Sequence, residues 1–142
     1  KLWPEAHWIE LANKVTAQGF KVWMPWGNEE ERERAERIAG VVAGLSVLPK
    51  LDLLGLAGMM MEVDAAVAVD TGLAHLAAAL DVPTVSLYGP TRIELIGAYG
   101  KNQVHITAPL DVAQTSDPAL MMQSITPQMV SDQLQQLLGE VG

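Results

Sequence analysis

The chain has 142 residues, of which 49% are hydrophobic, 5% aromatic and 18% charged, and this length and composition are typical of one globular domain with an aliphatic core. The formal net charge of −8 repels nucleic acid and anionic lipid, so we expect no nucleic-acid partner. The absence of cysteine excludes disulfides and a thiolate nucleophile, and the spacing of His7, His75 and His105 does not suggest a metal site.

Apolar periodicity and turn residues divide the chain into alternating helices and strands. In chain order, the predicted elements are a helix from Pro4 that ends at Gly19, a strand over 20–24, a helix over 29–38, a strand over 45–48, a helix over 53–61, a strand over 65–69, a helix through His75 to Leu80, a strand over 84–88, a loop or short helix around 97–100, a strand over 104–107 and a terminal helix over 126–142. Asn28 and Asp52 can cap two of the helices, and Thr126-Pro127 opens the final one. Because the helix over 53–61 is apolar nearly all round, we expect it to be well buried. Residues 108–118 are polar and contain proline, and they are predicted to form a loop.

This alternation predicts an α/β fold, with a Rossmann-like, doubly wound, mostly parallel sheet and helices on both faces. We expect residues 1–142 to form a single domain of this kind. No apolar run approaches the roughly 18 residues that a membrane-spanning helix needs. The first residue, Lys1, is not an initiator methionine, which favours a piece of a longer protein.

The turn at Asp70-Thr71-Gly72 is the first place where chemistry is predicted. It joins an apolar strand directly to a helix, so backbone N–H groups and the helix dipole would face a ligand at the carboxyl end of the strand. A phosphate fits such a site, and Gly72 would permit a close approach. The alternative is that Asp70 or Thr71 only caps the helix and that His75 packs locally. The pattern alone gives the two interpretations about equal weight.

Glu31 is the second candidate, because its spacing separates it from the rest of a charged helix. It shares a helix face with Ala35 and Ile38, which point toward the sheet. An acid there, beside the carboxyl end of a strand, could accept hydrogen bonds from ribose hydroxyls. The alternative is a first-turn acid that pairs with the helix dipole. We predict that most of the other charges of this helix form a solvated face, with Glu30 and Arg34, and Glu33 and Arg37, as i,i+4 pairs.

Several common nucleotide-site patterns are missing from the sequence. No G-x-G-x-x-G or G-x-x-x-x-G-K-[ST] motif follows a strand, which disfavours a dinucleotide dehydrogenase and a P-loop NTPase. No serine, histidine and acid are spaced in a way that suggests a catalytic triad. We predict no cofactor, and the spacing of the histidines indicates no metal site.

Five sequence blocks together resemble the bacterial ADP-heptose-using glycosyltransferases, the lipopolysaccharide heptosyltransferases of glycosyltransferase family 9, and most closely the type I members. The resemblance extends from residue 1 to about 108 and fades beyond. A single D-T-G-x-x-H motif would be weak, but five blocks in the family's order make the assignment strong. The blocks are Lys1-Leu2-Trp3-Pro4-Glu5-Ala6-His7-Trp8, Pro25-Trp26-Gly27 with Glu31, Val47-Leu48-Pro49-Lys50, Val69-Asp70-Thr71-Gly72-Leu73-Ala74-His75, and Leu87-Tyr88-Gly89-Pro90-Thr91 with Gly97-Ala98-Tyr99-Gly100-Lys101.

The resemblance implies one half of a GT-B enzyme, namely the carboxyl-terminal domain that binds the nucleotide sugar ADP-L-glycero-β-D-manno-heptose. The roles that it implies are Lys1 at the diphosphate, Glu31 at the ribose, the segment Pro49-Lys50-Leu51 along the adenine, Asp70 at the heptose hydroxyls, Thr71 and Gly72 as backbone donors to the diphosphate, and His75 close by. The terminal helix of such enzymes often crosses to the other domain. We therefore expect the apolar face of residues 129–138 to be exposed here and to invite self-association.

The same resemblance implies an inverting heptosyltransferase that acts on the Kdo region of a lipid A precursor. Its general base would be an aspartate of the amino-terminal domain, so this stretch alone would bind the donor weakly and have no turnover. The implied location is cytoplasmic, peripheral at the inner face of the cytoplasmic membrane. The alternatives are a type II or other heptosyltransferase of the family, and, in another class, a non-catalytic nucleotide-binding domain.

Overall fold

The computed structural model describes residues 3–69, 71–88, 103–108 and 118–141. Helices and strands alternate over most of this length, as predicted. In chain order, the elements are α1 (Glu5–Ala17), β1 (Val22–Met24), α2 (Glu29–Ala39), β2 (Leu45–Val47), α3 (Leu53–Met60), β3 (Ala66–Ala68), α4 (Thr71–Ala79), β4 (Thr84–Tyr88), β5 (Gln103–Thr107), α5 (Pro118–Gln123) and α6 (Pro127–Val141). The element predicted around residues 97–100 lies outside the described residues.

All the described strand pairings are parallel. Strand β1 pairs with β2, and β4 lies between β3 and β5. In a parallel sheet the carboxyl ends of the strands lie at one edge, and the loops that follow them line that edge. The register places Ala68, Ser86 and His105 side by side across the three-stranded sheet.

Helices cover both faces of the three-stranded sheet. Alternate residues of each strand point to opposite sides, and both sides carry apolar side chains that pack against helices. On one face, Val85 and Leu87 belong to the main core with side chains from α1, α5 and α6. On the other face, Ala68 packs with Ala74 of α4. The predicted α/β class, with a mostly parallel sheet and helices on both faces, is therefore confirmed.

Helix α1 contributes to two cores. Its residue Leu11 is buried in the main core, whereas the next residue, Ala12, is buried in a second core with Ile38 of α2 and Val22 of β1. Just before the helix, Trp3 is only 1% exposed, and its indole Nε1 donates to the Ile125 carbonyl oxygen at 2.8 Å. Helix α1 thus connects the two-stranded sheet to the three-stranded sheet.

The predicted caps form. The side chains of Asn28 and Asp52 accept hydrogen bonds from backbone N–H groups of the first turns of α2 and α3, each at 2.8 Å. The Thr126 hydroxyl accepts from the Met129 N–H at 3.2 Å at the start of α6. Helix α1 ends as predicted, because Gly19 takes a φ of 97°, in the left-handed region that glycine adopts without strain.

Two predictions about burial are wrong. Helix α3 is not well buried, since Leu53 is 70% exposed and Leu54 is 83% exposed, and only its opposite side, with Met60, packs against α4. The apolar face of the terminal helix is not exposed, since Val130, Leu134 and Leu137 are buried in the main core. Core burial, and not a hydrophobic surface, therefore accounts for the apolar periodicity of α6.

The terminal region differs from the prediction in one element. The predicted loop begins as expected at Ala108, directly after β5, although this residue is buried in the main core, and residues 109–117 lie outside the described residues. The six-residue helix α5 begins at Pro118, at the end of the predicted loop, and was not predicted.

Within the described part of the chain, no helix has both the length and the hydropathy required to span a bilayer.

Candidate functional site

The segments that follow β1 and β2 are joined to each other at the carboxyl ends of these strands. The Leu48 N–H donates to the Met24 carbonyl oxygen at 3.0 Å, which extends the strand pairing by one residue. One step further, the indole Nε1 of Trp26 donates to the Leu48 carbonyl oxygen at 2.7 Å. The Pro25-Trp26-Gly27 turn is therefore fixed against the start of the segment that leads to Lys50.

Glu31 lies in the first turn of α2, directly beside this turn. Its backbone N–H donates to the capping oxygen of Asn28 at 2.8 Å, and its Oε1 accepts from the Gly27 N–H at 2.7 Å. Glu31 is half-buried and shares its helix face with Ala35 and Ile38, which are buried, as the periodicity predicted. The bond to the Gly27 N–H thus uses one carboxylate oxygen. Within the described residues no bond uses the other, Oε2, which can accept from a ligand hydroxyl.

Gly27 leaves room for this contact. A Cβ at this position would lie 3.1 Å from Oε1 of Glu31, so the carboxylate would have to shift by a few tenths of an ångström. The absence of a side chain at residue 27 therefore favours the close approach of the acid to the turn. This arrangement fixes the Glu31 side chain before any ligand arrives.

The segment after β2 lines an open pocket. The pocket has a volume of about 410 Å³ and is lined by Lys50, Leu51 and Asp52. Lys50 is exposed and Leu51 is half-buried. Leu51 lies against the first turn of α3 at Gly55, where an added Cβ would come within 3.1 Å of its Cδ2 atom. An apolar side chain beside an exposed ammonium group suits the flat, partly polar surface of a purine base.

The third strand end is occupied by the start of α4. The helix begins at Thr71, three residues after strand β3 ends at Ala68, so its first backbone N–H groups lie at the edge where the sequence predicts an anion site. Gly72 and His75 are exposed, whereas Ala74 packs on Ala68. His75 is thus accessible and not buried by local packing.

The structure joins some of the predicted site residues and leaves others undescribed. The turn beside Glu31 is bonded to the segment that carries Lys50 and Leu51, whereas Thr71, Gly72 and His75 follow a strand of the other sheet. Lys1 and Asp70 lie outside the described residues, as does the side chain of Thr71. No group of three metal-ligating side chains occurs within ranges 3–69, 71–88, 103–108 and 118–141.

Sequence reasoning missed the role of Trp26, which it treated only as part of a motif. A signal was present, because a half-buried tryptophan carries an N–H group that needs an acceptor, and the end of the neighbouring strand offers one. The Trp26 ring also lies near the guanidinium of Arg32, whose Cζ is 5.9 Å from the ring centroid, at the outer limit of a cation–π contact.

The chain resembles known proteins over most of its length. It matches the model described as glycosyltransferase family 9 (heptosyltransferase) over residues 1–124. It is 55% identical to lipopolysaccharide heptosyltransferase 1 of Pseudomonas aeruginosa over 106 residues, which cover 75% of this chain and 30% of that protein. An alignment with lipopolysaccharide heptosyltransferase 2 of Salmonella typhimurium covers 100% of this chain and 44% of that protein at 32% identity.

Solved structures give the same result. Escherichia coli heptosyltransferase WaaC with ADP superposes with a TM-score of 0.85 at 40% identity, covering 96% of this chain and 40% of that one. The same enzyme with ADP-2-deoxy-2-fluoro heptose gives a TM-score of 0.80. These neighbours are heptosyltransferases of the GT-B class. The chain spans about a third of the length of the heptosyltransferase 1 sequences that it matches.

Proposed function

Because the chain belongs to glycosyltransferase family 9, the heptosyltransferase family, we propose that it is the nucleotide-sugar-binding part of an enzyme that uses ADP-L-glycero-β-D-manno-heptose. The observation that carries this proposal is the hydrogen bond between the segments that follow β1 and β2. Through this bond, Trp26 joins the turn beside Glu31 to the segment of Lys50 and Leu51. A nucleoside needs a hydroxyl acceptor and an apolar surface close together, and this edge of the sheet offers both.

Each part of the donor has a proposed position. Glu31 accepts from the ribose hydroxyls, and Lys50 with Leu51 lines the adenine. The amino terminus of α4, with Thr71 and Gly72, donates to the diphosphate together with Lys1, while His75 lies nearby and Asp70 binds the heptose hydroxyls. A WaaC structure with ADP and one with an ADP-heptose analogue support a donor of this kind.

The proposed reaction is a single displacement with inversion at the anomeric carbon. An acceptor hydroxyl loses its proton and forms the new glycosidic bond as the bond to ADP breaks, and the leaving diphosphate gains negative charge. A lysine and oriented backbone N–H groups stabilise that charge more in the transition state than in the ground state. The base that takes the acceptor proton belongs to the amino-terminal domain in this proposal. The 142-residue chain alone therefore has no turnover.

The proposed acceptor is the Kdo region of a lipid A precursor, which makes the full-length enzyme a heptosyltransferase of lipopolysaccharide inner-core synthesis at the inner face of the cytoplasmic membrane. The higher identity to a type 1 relative than to a type 2 relative supports this acceptor, at 55% against 32%. A transfer assay tests it. The full-length protein should move heptose from ADP-heptose to Kdo-lipid A, whereas transfer only to a different acceptor would favour type II.

Calorimetric titration of the chain with ADP, ADP-heptose and UDP tests donor binding. We expect the two adenine nucleotides to bind and UDP to bind far more weakly. Glu31→Ala should weaken ADP binding about ten- to hundredfold, since it removes a hydrogen bond to a charged group. The matched control is Glu30→Ala, an exposed acid one residue away, which should bind ADP as the parent does.

A second variant tests the other strand end. Asp70→Ala should weaken ADP-heptose more than ADP, because the proposed contact is with the heptose. A folded chain that binds none of the three nucleotides, or that binds UDP as tightly as ADP, would contradict the proposal. Adenine-nucleotide binding by the chain, combined with no transfer by the full-length protein, would favour the non-catalytic alternative.

A further inference from the structure

Trp26 is held in place from two sides. Its indole N–H donates to the Leu48 carbonyl oxygen at 2.7 Å, and the guanidinium of Arg32 lies beside its ring. Arg32 in turn is fixed by Glu29, which accepts from its Nε at 3.0 Å. The ring is half-buried, so its orientation is set by directional contacts as well as by packing.

The bond from Trp26 joins two segments that are 22 residues apart in the chain. One segment continues through Gly27, whose N–H holds the Oε1 of Glu31 at 2.7 Å. The other continues to Lys50 and Leu51 at the pocket. Since the Leu48 N–H is also bonded, to Met24, the peptide groups on both sides of Leu48 are fixed relative to β1.

We propose that Trp26 is a positioning residue for nucleoside binding, which sets the distance between the Glu31 carboxylate and the surface formed by Lys50 and Leu51. This inference rests on the proposed function. Trp26 makes no contact with the nucleotide in this scheme and acts through Glu31. Without its N–H, the bond from the Leu48 N–H to Met24 would still join the two segments, but the turn would no longer be held against the Leu48 carbonyl oxygen. Binding would then have to order the turn, which lowers affinity.

Trp26→Phe isolates the effect, because it keeps an aromatic ring beside Arg32 and removes the N–H donor. We expect ADP to bind about three- to tenfold more weakly to this variant, the range that the loss of one hydrogen bond gives. The matched control is Trp23→Phe on β1, whose side chain is 39% exposed, and it should bind ADP as the parent does.

A double-mutant cycle with Glu31→Ala separates positioning from a general loss of structure. If Trp26 acts through Glu31, Trp26→Phe should change ADP affinity by less than about twofold once Glu31 is alanine. Additive effects of the two substitutions would overturn the inference. So would equal ADP affinity for Trp26→Phe and the parent, and in that case the proposed function would stand. A parent chain that does not bind ADP would overturn both.

If Trp26→Phe fails to fold, a measurement on the parent chain tests the same inference. The indole N–H of Trp26 should exchange slowly with solvent in the free chain and more slowly still with ADP bound, as followed by nuclear magnetic resonance. The indole N–H of Trp23 should show no such change. An indole N–H of Trp26 whose exchange rate is unaffected by saturating ADP would overturn the inference.

Discussion

Glu29 and Arg32 lie one turn apart on the exposed side of α2, and their contact controls the protonation of the carboxylate. The Arg32 guanidinium donates hydrogen bonds to both Glu29 oxygens. This hydrogen bonding lowers the pKa of Glu29 below its ordinary value and raises the pKa of Arg32. The predicted pair of Glu33 with Arg37 does not form in the described part of the chain, because Arg37 pairs with Glu5 of α1 at 3.0 Å.

The pH dependence of this contact has a definite sign. Since the pKa of Glu29 is lower in the folded chain than in the unfolded one, its contribution to stability is present above the ordinary pKa of glutamate and is lost as the pH falls through the lowered value. In Arg32→Gln, the titration midpoint of the Glu29 carboxyl carbon, measured by nuclear magnetic resonance, should rise toward the ordinary value. Arg34→Gln is the matched control. The same midpoint in the parent and in Arg32→Gln would contradict the assigned cause.

Glu31 shows which part of the candidate site periodicity can predict. The sequence placed it on the inward face of α2 because Ala35 and Ile38 follow at helical spacing, and both are buried. Its bond to the Gly27 N–H could not be predicted, since that bond depends on the backbone path of the turn before the helix. Periodicity fixes the direction of a side chain, whereas its partners depend on segments from elsewhere in the chain.

Helix α3 shows that apolar content alone does not predict burial. The side of the helix that carries Met60 packs against Ala77 and Val82, while Leu53 and Leu54 face outward beside the Lys50 segment. A helix of eight residues that packs through one side leaves the other side exposed. The sequence records the residue types of α3 but not the number of elements around it.

Two substitutions in α3 should therefore differ greatly in cost. Met60→Ala, at a position only 5% exposed, should lower the free energy of unfolding by about 2–5 kcal/mol, because it leaves a cavity. Leu54→Gln, at a position 83% exposed, should change it by less than about 0.5 kcal/mol. Chemical denaturation of both variants measures the difference. A large loss of stability in Leu54→Gln would mean that this side of α3 is covered.

The five strands of the described chain and the helices that alternate with them were predictable because their signals are local. Asn28 and Asp52 mark helix starts, and a continuous apolar run marks β3. Helix α5 escaped prediction because six residues are too few to show a helical period. The burial of α6 was mispredicted because the resemblance to two-domain enzymes suggested a distant partner, whereas α1 and β4 cover its apolar face.

At the scale of the whole molecule, Trp3 connects the first helix to the last. Its ring makes edge-to-face contacts with His7 and Trp8, with centroid distances of 5.4 Å and 4.7 Å. Its indole N–H donates a hydrogen bond to the carbonyl oxygen of Ile125, which lies between α5 and α6 and has a fully buried side chain. One tryptophan thus fills part of the main core and provides a buried polar group with its partner.

Trp3→Phe tests this connection. The substitution leaves the buried Ile125 carbonyl oxygen without a donor, which should lower the free energy of unfolding by about 1–3 kcal/mol, in addition to the loss of packing. Trp23→Phe, at an exposed position of β1, is the control and should have an effect below about 0.5 kcal/mol. Equal stabilities of the two variants would show that the bond to Ile125 contributes nothing.

The contact between Trp3 and Ile125 also governs when the molecule can fold during its synthesis. The two residues are 122 positions apart, so at about 5–20 residues per second a ribosome needs about 6–24 s to add the second after the first. During that time Trp3 lacks its partner at Ile125, and the side of α1 that carries Leu11 lacks the part of the main core that α5 and α6 supply. Synthesis of this chain therefore includes an interval in which its first helix needs protection from aggregation, and α6 ends that interval.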